Sequence, residues 1–511
     1  MNRSFRNITR LFSIARILAR HDALMVLEKL EIGGPAIALA RLFSRRGSGR
    51  AGQRLALALQ QAGPSFIKLG QALSTRSDLL GEEFSADLSE LQDSLPPFPG
   101  VQARAIIETE FGKPMADLFK DFDEQPIAAA SIAQVHFAIT HDGREVAVKV
   151  LRPNIEEAFQ RDVDLMFWIA ELVEAARPEY RRLRPVETVR TLAKSIEMEM
   201  DLRFEAAAAA ELHENFEGDD SFAVPAVDWR LTGQKVLVTE RVHGIPIDDI
   251  TALKAAGHDT NDLLQKSASA FFLQVFRDGF FHADMHPGNM FVRADGGLAA
   301  VDFGIMGRLD AKTRRHLGEL LMSFLTRNYR RTAEIHFEAG WIPADQSVDT
   351  FTQACRSIAE PILDLPQNEI SIAKLLGQLF SITKTFNMET QPQLLLLQKT
   401  MLTAEGTGRK LNPDANMWLM AKPLIEQWVI THLGPEARLV EAAGDLRDGL
   451  ARLPRLLENL DRGAAELANG RIRLHPETIR ALKGGNRFSV GPITLVIAAV
   501  VLAALVALAL S

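Results

Sequence analysis

Two aspartates and an asparagine stand close together in residues 276–306, FRDGFFHADMHPGNMFVRADGGLAAVDFGIM. Four residues separate Asp284 from Asn289, and Asp302 opens a D-F-G thirteen positions further on, at the end of an apolar run. In phosphoryl transfer from ATP, one carboxylate orients the acceptor while an Asn and a second Asp hold Mg²⁺ against the phosphates. The spacing therefore predicts a catalytic Asp284, with Asn289 and Asp302 as metal ligands.

A metal cluster is the competing interpretation of this stretch. His282, Asp284 and His286 alternate in a way that suits zinc or iron. This interpretation explains neither Asn289 nor Asp302, and it needs no lysine upstream. The phosphoryl-transfer interpretation requires such a lysine, so an earlier part of the chain distinguishes the two.

The required lysine stands on a predicted β-hairpin. PIAAASIAQVHFAIT and EVAVKVLRP read as two strands joined across a loop that contains Asp142 and Gly143. The second strand contains V-A-V-K, and its Lys149 corresponds to the lysine that binds the α and β phosphates in the V-A-I-K strand of protein kinases. The first strand has an alanine-rich stretch where kinases have G-x-G-x-x-G. Since alanine does not share glycine's freedom to adopt positive φ, we expect a restricted grip on nucleotide, which disfavours conventional substrate phosphorylation.

A lysine in this position needs a carboxylate partner. Residues 195–216, SIEMEMDLRFEAAAAAELHENF, have high helix propensity and carry three candidates. We predict an ion pair between Glu205 and Lys149. Glu199 and Asp201 are expected either to face the site as a second acidic pair or to lie on a solvated helix face.

A further strand, KVLVTERVHGIPI, follows this helix. Its Glu240 and Val242 stand where a kinase hinge offers backbone groups to adenine, so a boundary between two lobes is expected near residue 243. No A-P-E follows the D-F-G. Substrate docking of the protein-kinase kind is therefore unsupported by the sequence.

Composition narrows the class of protein. A chain of 511 residues is too long for one small core. Its net charge of −7 gives no overall electrostatic case for nucleic acid. The single cysteine, Cys355, excludes an intramolecular disulfide and suits a reducing compartment.

The end of the chain predicts a membrane anchor. From Ile493 to Leu510 the only polar residue is Thr494, and eighteen residues at about 1.5 Å each span about 27 Å, near the thickness of the bilayer hydrocarbon. Between residues 471 and 487 there are five Lys or Arg against one acid, Glu477. The positive-inside bias then keeps the bulk of the chain cytoplasmic.

The other end predicts a basic amphipathic helix. Residues 1–21 carry five arginines and no acid, while Ile8, Leu11, Ile14 and Leu18 recur at helical steps. Such a helix would lie on an anionic membrane surface. A mitochondrial transit peptide and a cationic helix packed on the domain are the alternatives.

Together these features predict an α+β, two-lobed, protein-kinase-like fold with an N-terminal helical extension and a C-terminal transmembrane helix. The expected parts are the extension at 1–100, the N-lobe at 101–243, the helical C-lobe at 244–465, a tether at 466–490 and the transmembrane helix at 491–511.

The blocks FIKLGQALSTRSDLL, AAASIAQVH, VAVKV, EMDLRFEA, HADMHPGNMFV and VDFG, read together, resemble the UbiB family of atypical kinase-like proteins. The resemblance covers residues from about 25 to 430. It implies a protein-kinase-like fold with a helical extension, binding of ATP and Mg²⁺, and support of ubiquinone biosynthesis at the inner membrane.

The resemblance also assigns residues. Lys149, Asp284, Asn289 and Asp302 keep the roles given above. Lys68 and Gln71 match a motif of the extension that folds over the active site, where a protein substrate would otherwise enter, and Glu199 and Asp201 match an acidic pair near it. The alanine-rich nucleotide loop comprises Ile127, Ala128, Ala129, Ala130, Ser131, Ile132, Ala133, Gln134 and Val135.

The leading hypothesis is a membrane-tethered ATPase that couples nucleotide turnover to the handling of ubiquinone precursors or of the enzymes that act on them. Phosphorylation of a protein or small molecule that regulates ubiquinone biosynthesis is the second hypothesis, and a nucleotide-gated scaffold is the third. The expected partners are membrane lipids, ubiquinone precursors and other ubiquinone-biosynthesis enzymes, with an oligomer left open. The expected location is the inner membrane, with the catalytic part cytoplasmic, and the mitochondrial equivalent is the alternative.

Overall fold

The computed structural model describes residues 3–24, 49–74, 82–89, 95–176, 185–361 and 391–414, together with some single positions between 385 and 431. The chain divides into two units, Met1–Leu433 and Gly434–Ser511, and all the described residues lie in the first. No helix among them is both long enough and apolar enough to cross a membrane. The predicted tether and transmembrane helix lie outside the described residues and stay predictions.

Runs of helices and runs of short strands follow one another along the described chain. The described helices are α1 (Arg3–Arg20), α2 (Ala51–Ala62), α3 (Pro64–Ser74), α4 (Glu82–Ser89), α5 (Gly100–Phe111), α6 (Met115–Leu118), α7 (Ile155–Ala176), α8 (Pro185–Glu199), α9 (Leu202–Asn215), α10 (Ile250–Ala255), α11 (Thr260–Phe272), α12 (Ala311–Leu325), α13 (Tyr329–Glu338), α14 (Val348–Ala359) and α15 (Pro392–Leu411). The described strands are β1 (Asp121–Phe122), β2 (Ala128–Ala129), β3 (Ala133–Ile139), β4 (Glu145–Leu151), β5 (Phe222–Ala223), β6 (Val236–Glu240), β7 (Ile245–Pro246), β8 (Phe280–His282), β9 (Met290–Val292), β10 (Leu298–Ala300) and β11 (Met306–Arg308).

A five-stranded antiparallel sheet forms the smaller lobe, in the order β1-β3-β4-β6 with β2 paired to β3. The predicted hairpin is confirmed as β3 and β4, and its loop turns through Gly143 at a φ of +87°. Val146, Val148 and Val150 are buried in one hydrophobic cluster. Because side chains alternate along a strand, Lys149 lies on the opposite face of β4.

The N-terminal helix packs on the extension. Leu11, Ile14, Ile17 and Leu18 belong to a hydrophobic cluster that also contains residues of α2, α3 and α7. The protein itself therefore covers this part of the apolar face, which favours the packed helix over a helix lying on a membrane.

The helix predicted over residues 195–216 is wrong in one respect, because the structure divides it into α8 and α9. The carboxylate of Asp201 accepts a hydrogen bond from the backbone N–H of Arg203 at 3.1 Å and so caps the start of α9. A capping Asp competes with continuous helix and favours a new start.

The larger lobe combines helices with two short sheets, β5-β10-β9-β7 and β11-β8. Helix α11 runs into a π-helical turn, Leu273–Asp278, which leads to β8 and to the predicted catalytic loop, residues 283–289. Phe222, Phe281 and Leu298 are fully buried in the core of this lobe. The short strands β8 to β11 thus lie on a packed core, which positions the loops between them.

Candidate functional site

The two lobes meet at a lysine with two carboxylates. Lys149 Nζ donates hydrogen bonds to Glu205 Oε1 at 2.7 Å and Oε2 at 2.9 Å. The same ammonium lies 2.9 Å from Asp302 Oδ1, across 153 residues of sequence. The structure therefore contains the predicted Lys149–Glu205 ion pair and joins it to the aspartate of the D-F-G.

Lys149 and Asp302 hold each other in their charged forms. Burial disfavours the charged form of Lys149, but the charges of Asp302 and Glu205 outweigh it and raise the pKa of the ammonium. The charge of Lys149 is the main cause that lowers the pKa of Asp302, with a smaller contribution from the charge of Lys68. Lys149 and Asp302 are therefore both charged at neutral pH.

The backbone presents Asp302 towards the cleft. Asp302 has a φ of +64°, a left-handed conformation that is uncommon for a residue other than glycine. Gly304 lies beside this carboxylate, where a Cβ would be 3.4 Å from Asp302 Oδ1, an ordinary contact distance. Phe303 is buried, and its ring meets that of His282 edge-on, with 5.4 Å between the ring centroids. Strained backbone of this kind is typical of functional sites.

The catalytic loop is held by His282, which is buried. Its Nδ1 accepts the backbone N–H of Asp284 at 3.1 Å, so Nε2 carries the proton and donates to Val301 O at 3.2 Å. Burial lowers the pKa of His282, which keeps the ring neutral. The alternative of a metal cluster at His282, Asp284 and His286 is wrong. Both ring nitrogens of His282 are hydrogen-bonded, and the described residues contain no cluster of three or more His, Cys, Asp or Glu that could hold a metal ion.

Asn289 is oriented by the same loop. Its Nδ2 donates to the main-chain oxygen of Asp284 at 3.0 Å, and its own main-chain oxygen accepts the N–H of Val301 at 2.9 Å. The side-chain oxygen of Asn289 is then the atom left for a ligand. The hydrogen bond from Val301, the residue before Asp302, holds Asn289 beside the segment that carries Asp302. An amide oxygen and a carboxylate are the hard donors that Mg²⁺ prefers, so the residues fit this ion.

The alanine-rich loop turns back on itself. Backbone bonds join Ile127 N to Val135 O at 2.9 Å and Ala130 N to Ala133 O at 2.8 Å. Within 127–135, which is fully described, no residue has a positive φ. The loop thus makes no use of left-handed backbone, and the restricted grip on nucleotide stays a prediction.

The side chains of this loop differ in exposure. Ile127 and Ala128 are exposed, Ala129, Ala130 and Val135 are half-buried, and Ser131, Ile132, Ala133 and Gln134 are buried. The side chain of Gln134 is hydrogen-bonded to both backbone groups of Phe98, at 2.9 and 3.1 Å. Gln134 thus attaches the loop to the end of the extension, and its side chain is used within the protein.

The extension motif reaches the same cluster. Lys68 Nζ pairs with Glu199 Oε2 at 2.8 Å, and both side chains are largely buried. The charge of Lys68 helps to lower the pKa of Asp302, after the larger effect of Lys149. The Oε1 atom of Gln71 is buried and has no hydrogen-bond partner among the described residues.

The two carboxylates predicted as one acidic pair are used differently. Glu199 pairs with Lys68, whereas Asp201 caps α9 and pairs with Arg203, with bonds of 2.8 and 2.6 Å. The expectation that they face the site together is therefore corrected: Asp201 acts on the site only by starting the helix that carries Glu205.

The predicted hinge follows β6. The N–H of Glu240 donates to Ala226 O at 2.8 Å, so its carbonyl, together with the backbone of Val242, is what this segment can offer to adenine. The side chain of Glu240 is exposed and that of Val242 is half-buried.

Two residues of the site region were missed by the sequence analysis. The guanidinium of Arg152 donates to Ala130 O at 2.8 and 3.0 Å and to Pro96 O at 3.0 Å, which ties the nucleotide loop to the extension. Lys399 on α15 lies 3.5 Å from Asp284 Oδ1. An isolated basic residue in a helix or after a strand carries no sequence signal for either contact.

A strand lysine paired with a helix glutamate, facing an Asp-x₄-Asn loop and a D-F-G aspartate, defines a protein-kinase-like fold. Family models agree: an ABC1 atypical kinase-like domain matches residues 90–336, and a UbiB helical domain matches residues 355–416.

Curated relatives extend this match over most of the chain. The probable protein kinase UbiB of Marinobacter nauticus is 43% identical over 458 residues, which cover 88% of this chain and 84% of the relative. The protein of the same name from Vibrio cholerae is 44% identical, over 83% of this chain and 80% of the relative. The chain belongs to the UbiB family.

A solved structure supports the fold. Rv3197 of Mycobacterium tuberculosis, determined as a complex with erythromycin, is 23% identical, with a TM-score of 0.51 over 78% of this chain and 97% of its own. At that identity the likeness concerns the fold alone.

Proposed function

We propose that this protein is a kinase-like ATPase that binds ATP with Mg²⁺ and supports ubiquinone biosynthesis. The observation that carries the proposal is the contact of Lys149 with both Glu205 and Asp302, which brings the phosphate lysine of one lobe to the D-F-G aspartate of the other. A charged cluster that remains partly open, with Asp302 at 45% side-chain exposure, suits an anionic ligand with a cation better than it suits structural support alone.

Each residue then has a role in binding. Lys149 would hold the α and β phosphates, and backbone groups of Glu240 and Val242 would receive adenine. Asn289 and Asp302 would hold Mg²⁺, which neutralises charge on the transferring phosphoryl group. Asp284, at 37% side-chain exposure, would orient the acceptor.

The extension favours a small acceptor. Lys68, close enough to influence Asp302, is held by Glu199 at 2.8 Å, so the extension lies against the catalytic cluster. A protein substrate needs open access on that side, whereas water does not. ATP hydrolysis that drives the handling of lipid precursors, or of biosynthetic enzymes, is therefore the preferred reaction.

Phosphoryl transfer to a protein or small molecule is the second candidate. It is favoured by the exposed carboxylate of Asp284 and by the name probable protein kinase that the relatives carry. Transfer of labelled γ-phosphate to another molecule would decide for it, and water as the sole acceptor would decide against it.

The apolar run from Ile493 to Leu510 supports the proposal of a single C-terminal anchor in the inner membrane, with the catalytic part cytoplasmic. Membrane lipids, ubiquinone precursors and other ubiquinone-biosynthesis enzymes are the proposed partners. The net charge of −7 gives no reason to add nucleic acid.

The test is phosphate release from ATP by the full chain in lipid vesicles. Asp302→Asn should lower turnover by at least about a hundredfold, because the metal loses a charged ligand. Asp349→Asn, at an exposed ion pair with Arg330, is the matched control and should leave turnover unchanged. Equal turnover in the wild type and Asp302→Asn would remove the mechanism.

A further inference from the structure

A second ammonium, that of Lys399, lies beside Asp284 of the catalytic loop. Lys399 Nζ on α15 is 3.5 Å from Asp284 Oδ1, across 115 residues of sequence. The two side chains are 26% and 37% exposed, so their contact borders the space that an acceptor and a phosphate would enter.

The position of Lys399 is set by the packing of its helix. Thr400 is fully buried, and its hydroxyl proton is shared between Leu396 O of the same helix at 2.9 Å and Ala283 O, one residue before Asp284, at 3.2 Å. Leu397 is buried in the cluster that contains Ala283 and Met285. Because α15 is attached directly to the catalytic loop, the lysine is carried at a defined distance from Asp284.

The catalytic loop has no cation of its own. Between Asp284 and Asn289 the sequence is Met-His-Pro-Gly, and Nδ1 of His286 accepts the N–H of Gly288 at 3.2 Å. Lys149 is bonded to Glu205 and Asp302. A positive charge beside Asp284 therefore comes from another element, the helix α15.

We propose that Lys399 binds the terminal phosphoryl group of ATP. This role rests on the proposed function. During transfer, the acceptor oxygen forms a bond to the γ-phosphorus while the bond from that phosphorus to the bridging oxygen breaks. The electron pair of the broken bond stays on ADP, and the proton of the acceptor passes to Asp284. The ammonium of Lys399 exchanges Asp284 for the oxygens of the phosphoryl group, where negative charge is spread in the transition state.

This role makes a discriminating prediction. Since ADP lacks the γ-phosphate, loss of Lys399 should weaken binding of ATP and leave binding of ADP unaltered. Lys399→Met keeps the length of the side chain and removes its charge, and Lys399→Arg restores a charge. Lys410→Met is the matched control, because Lys410 is on the same helix but pairs with Asp248 at 3.1 Å.

The experiment measures affinities for ATP and ADP, each with Mg²⁺, and turnover for the full chain and these variants in lipid vesicles. Lys399→Met should lower the ratio of ATP to ADP affinity and kcat by about tenfold or more, with Lys399→Arg in between and Lys410→Met like the wild type. An unchanged ratio in Lys399→Met, or equal weakening of ATP and ADP, would overturn the inference.

The two proposals fail in different ways. A wild type that binds ATP but releases and transfers no phosphate would overturn the proposed turnover, while the affinity ratio would still decide on Lys399. A wild type that binds no nucleotide would overturn both.

Discussion

Asp162 and Asp302 each accept hydrogen bonds from a cation distant in sequence, but they lie in different surroundings. Asp162, on α7, has a side chain only 2% exposed, and it accepts hydrogen bonds from Arg10 at 2.8 Å and from Ser65 at 2.9 Å. Asp302 is 45% exposed and has a left-handed backbone. The first carboxylate joins three helices of the extension and N-lobe, and the second faces a cleft.

The difference suits the same ionic chemistry to stability at Asp162 and, under the proposed function, to ligand binding at Asp302. A buried carboxylate with its oxygens bonded to protein donors has no capacity left for a ligand, and its removal leaves a largely buried cation without its opposite charge. A half-exposed carboxylate on strained backbone keeps an oxygen for a cation. Exposure and backbone conformation therefore separate the two, although both have ion pairs shorter than 3 Å.

The largest expected effect is on stability, and it should be seen at Asp162 and not at Asp302. Asp162→Ala should lower the free energy of unfolding by about 3–5 kcal/mol, because Arg10 loses its buried partner. Asp302→Asn should lower it by no more than about 1 kcal/mol, since asparagine tolerates a left-handed φ and Lys149 keeps Glu205. Urea denaturation of the full chain measures both.

Asp349→Ala, at an exposed ion pair, is the control for charge removal and should change the free energy of unfolding by about 0.5 kcal/mol or less. If Asp302→Asn proved as destabilising as Asp162→Ala, the distinction between the two clusters would have to be given up.

The pH dependence of stability extends the comparison to His336, a buried histidine outside the candidate site. Burial lowers the pKa of His336 to about 4 from an ordinary value of 6.5, so unfolding takes up a proton between those values. The stabilisation of the folded protein by neutral His336 is therefore complete above about pH 6.5, and it declines as the pH falls towards 4. Between pH 7.5 and 5, the wild type should lose about 2 kcal/mol more than His336→Asn, which does not titrate.

Thermal unfolding at the two pH values checks this expectation. Equal losses in the wild type and the variant would mean that His336 is not buried neutral. His282 cannot be tested so simply, because its replacement would also disturb the catalytic loop through Asp284.

The smallest expected effect concerns the extension motif. Glu199→Gln removes the charge opposite Lys68 and should speed hydrogen exchange in α3 by about tenfold, as local opening becomes easier. Glu197→Gln changes an exposed acid of the same helix and is the matched control. Exchange rates that respond equally to the two variants would show that the Lys68–Glu199 pair does not hold α3 in place.

Much of the site could be predicted from local patterns. Asp284, Asn289 and Asp302 are recognisable because loop chemistry requires them at short, definite intervals, and Lys149 because a strand alternates its two faces over a few residues. Glu205 was predictable from the demand for a partner to Lys149 within a strongly helical segment. The break before it was not, since a capping Asp201 competes with the helix propensity of its neighbours on nearly equal terms.

What the sequence by itself determined is thus the set of groups for phosphate and metal chemistry and the strands and loops that carry them. Only the tertiary structure decided that Lys68 pairs with Glu199, that Arg152 ties the nucleotide loop to the extension and that Lys399 meets Asp284. The physical reason is that these contacts join residues far apart in the chain. The separations run from 22 positions, between Arg152 and Ala130, to 153 positions when the contact of Lys149 with Asp302 is included. A single charged residue in a helix reads the same in sequence whether it faces solvent or a catalytic aspartate, and packing alone chooses between them.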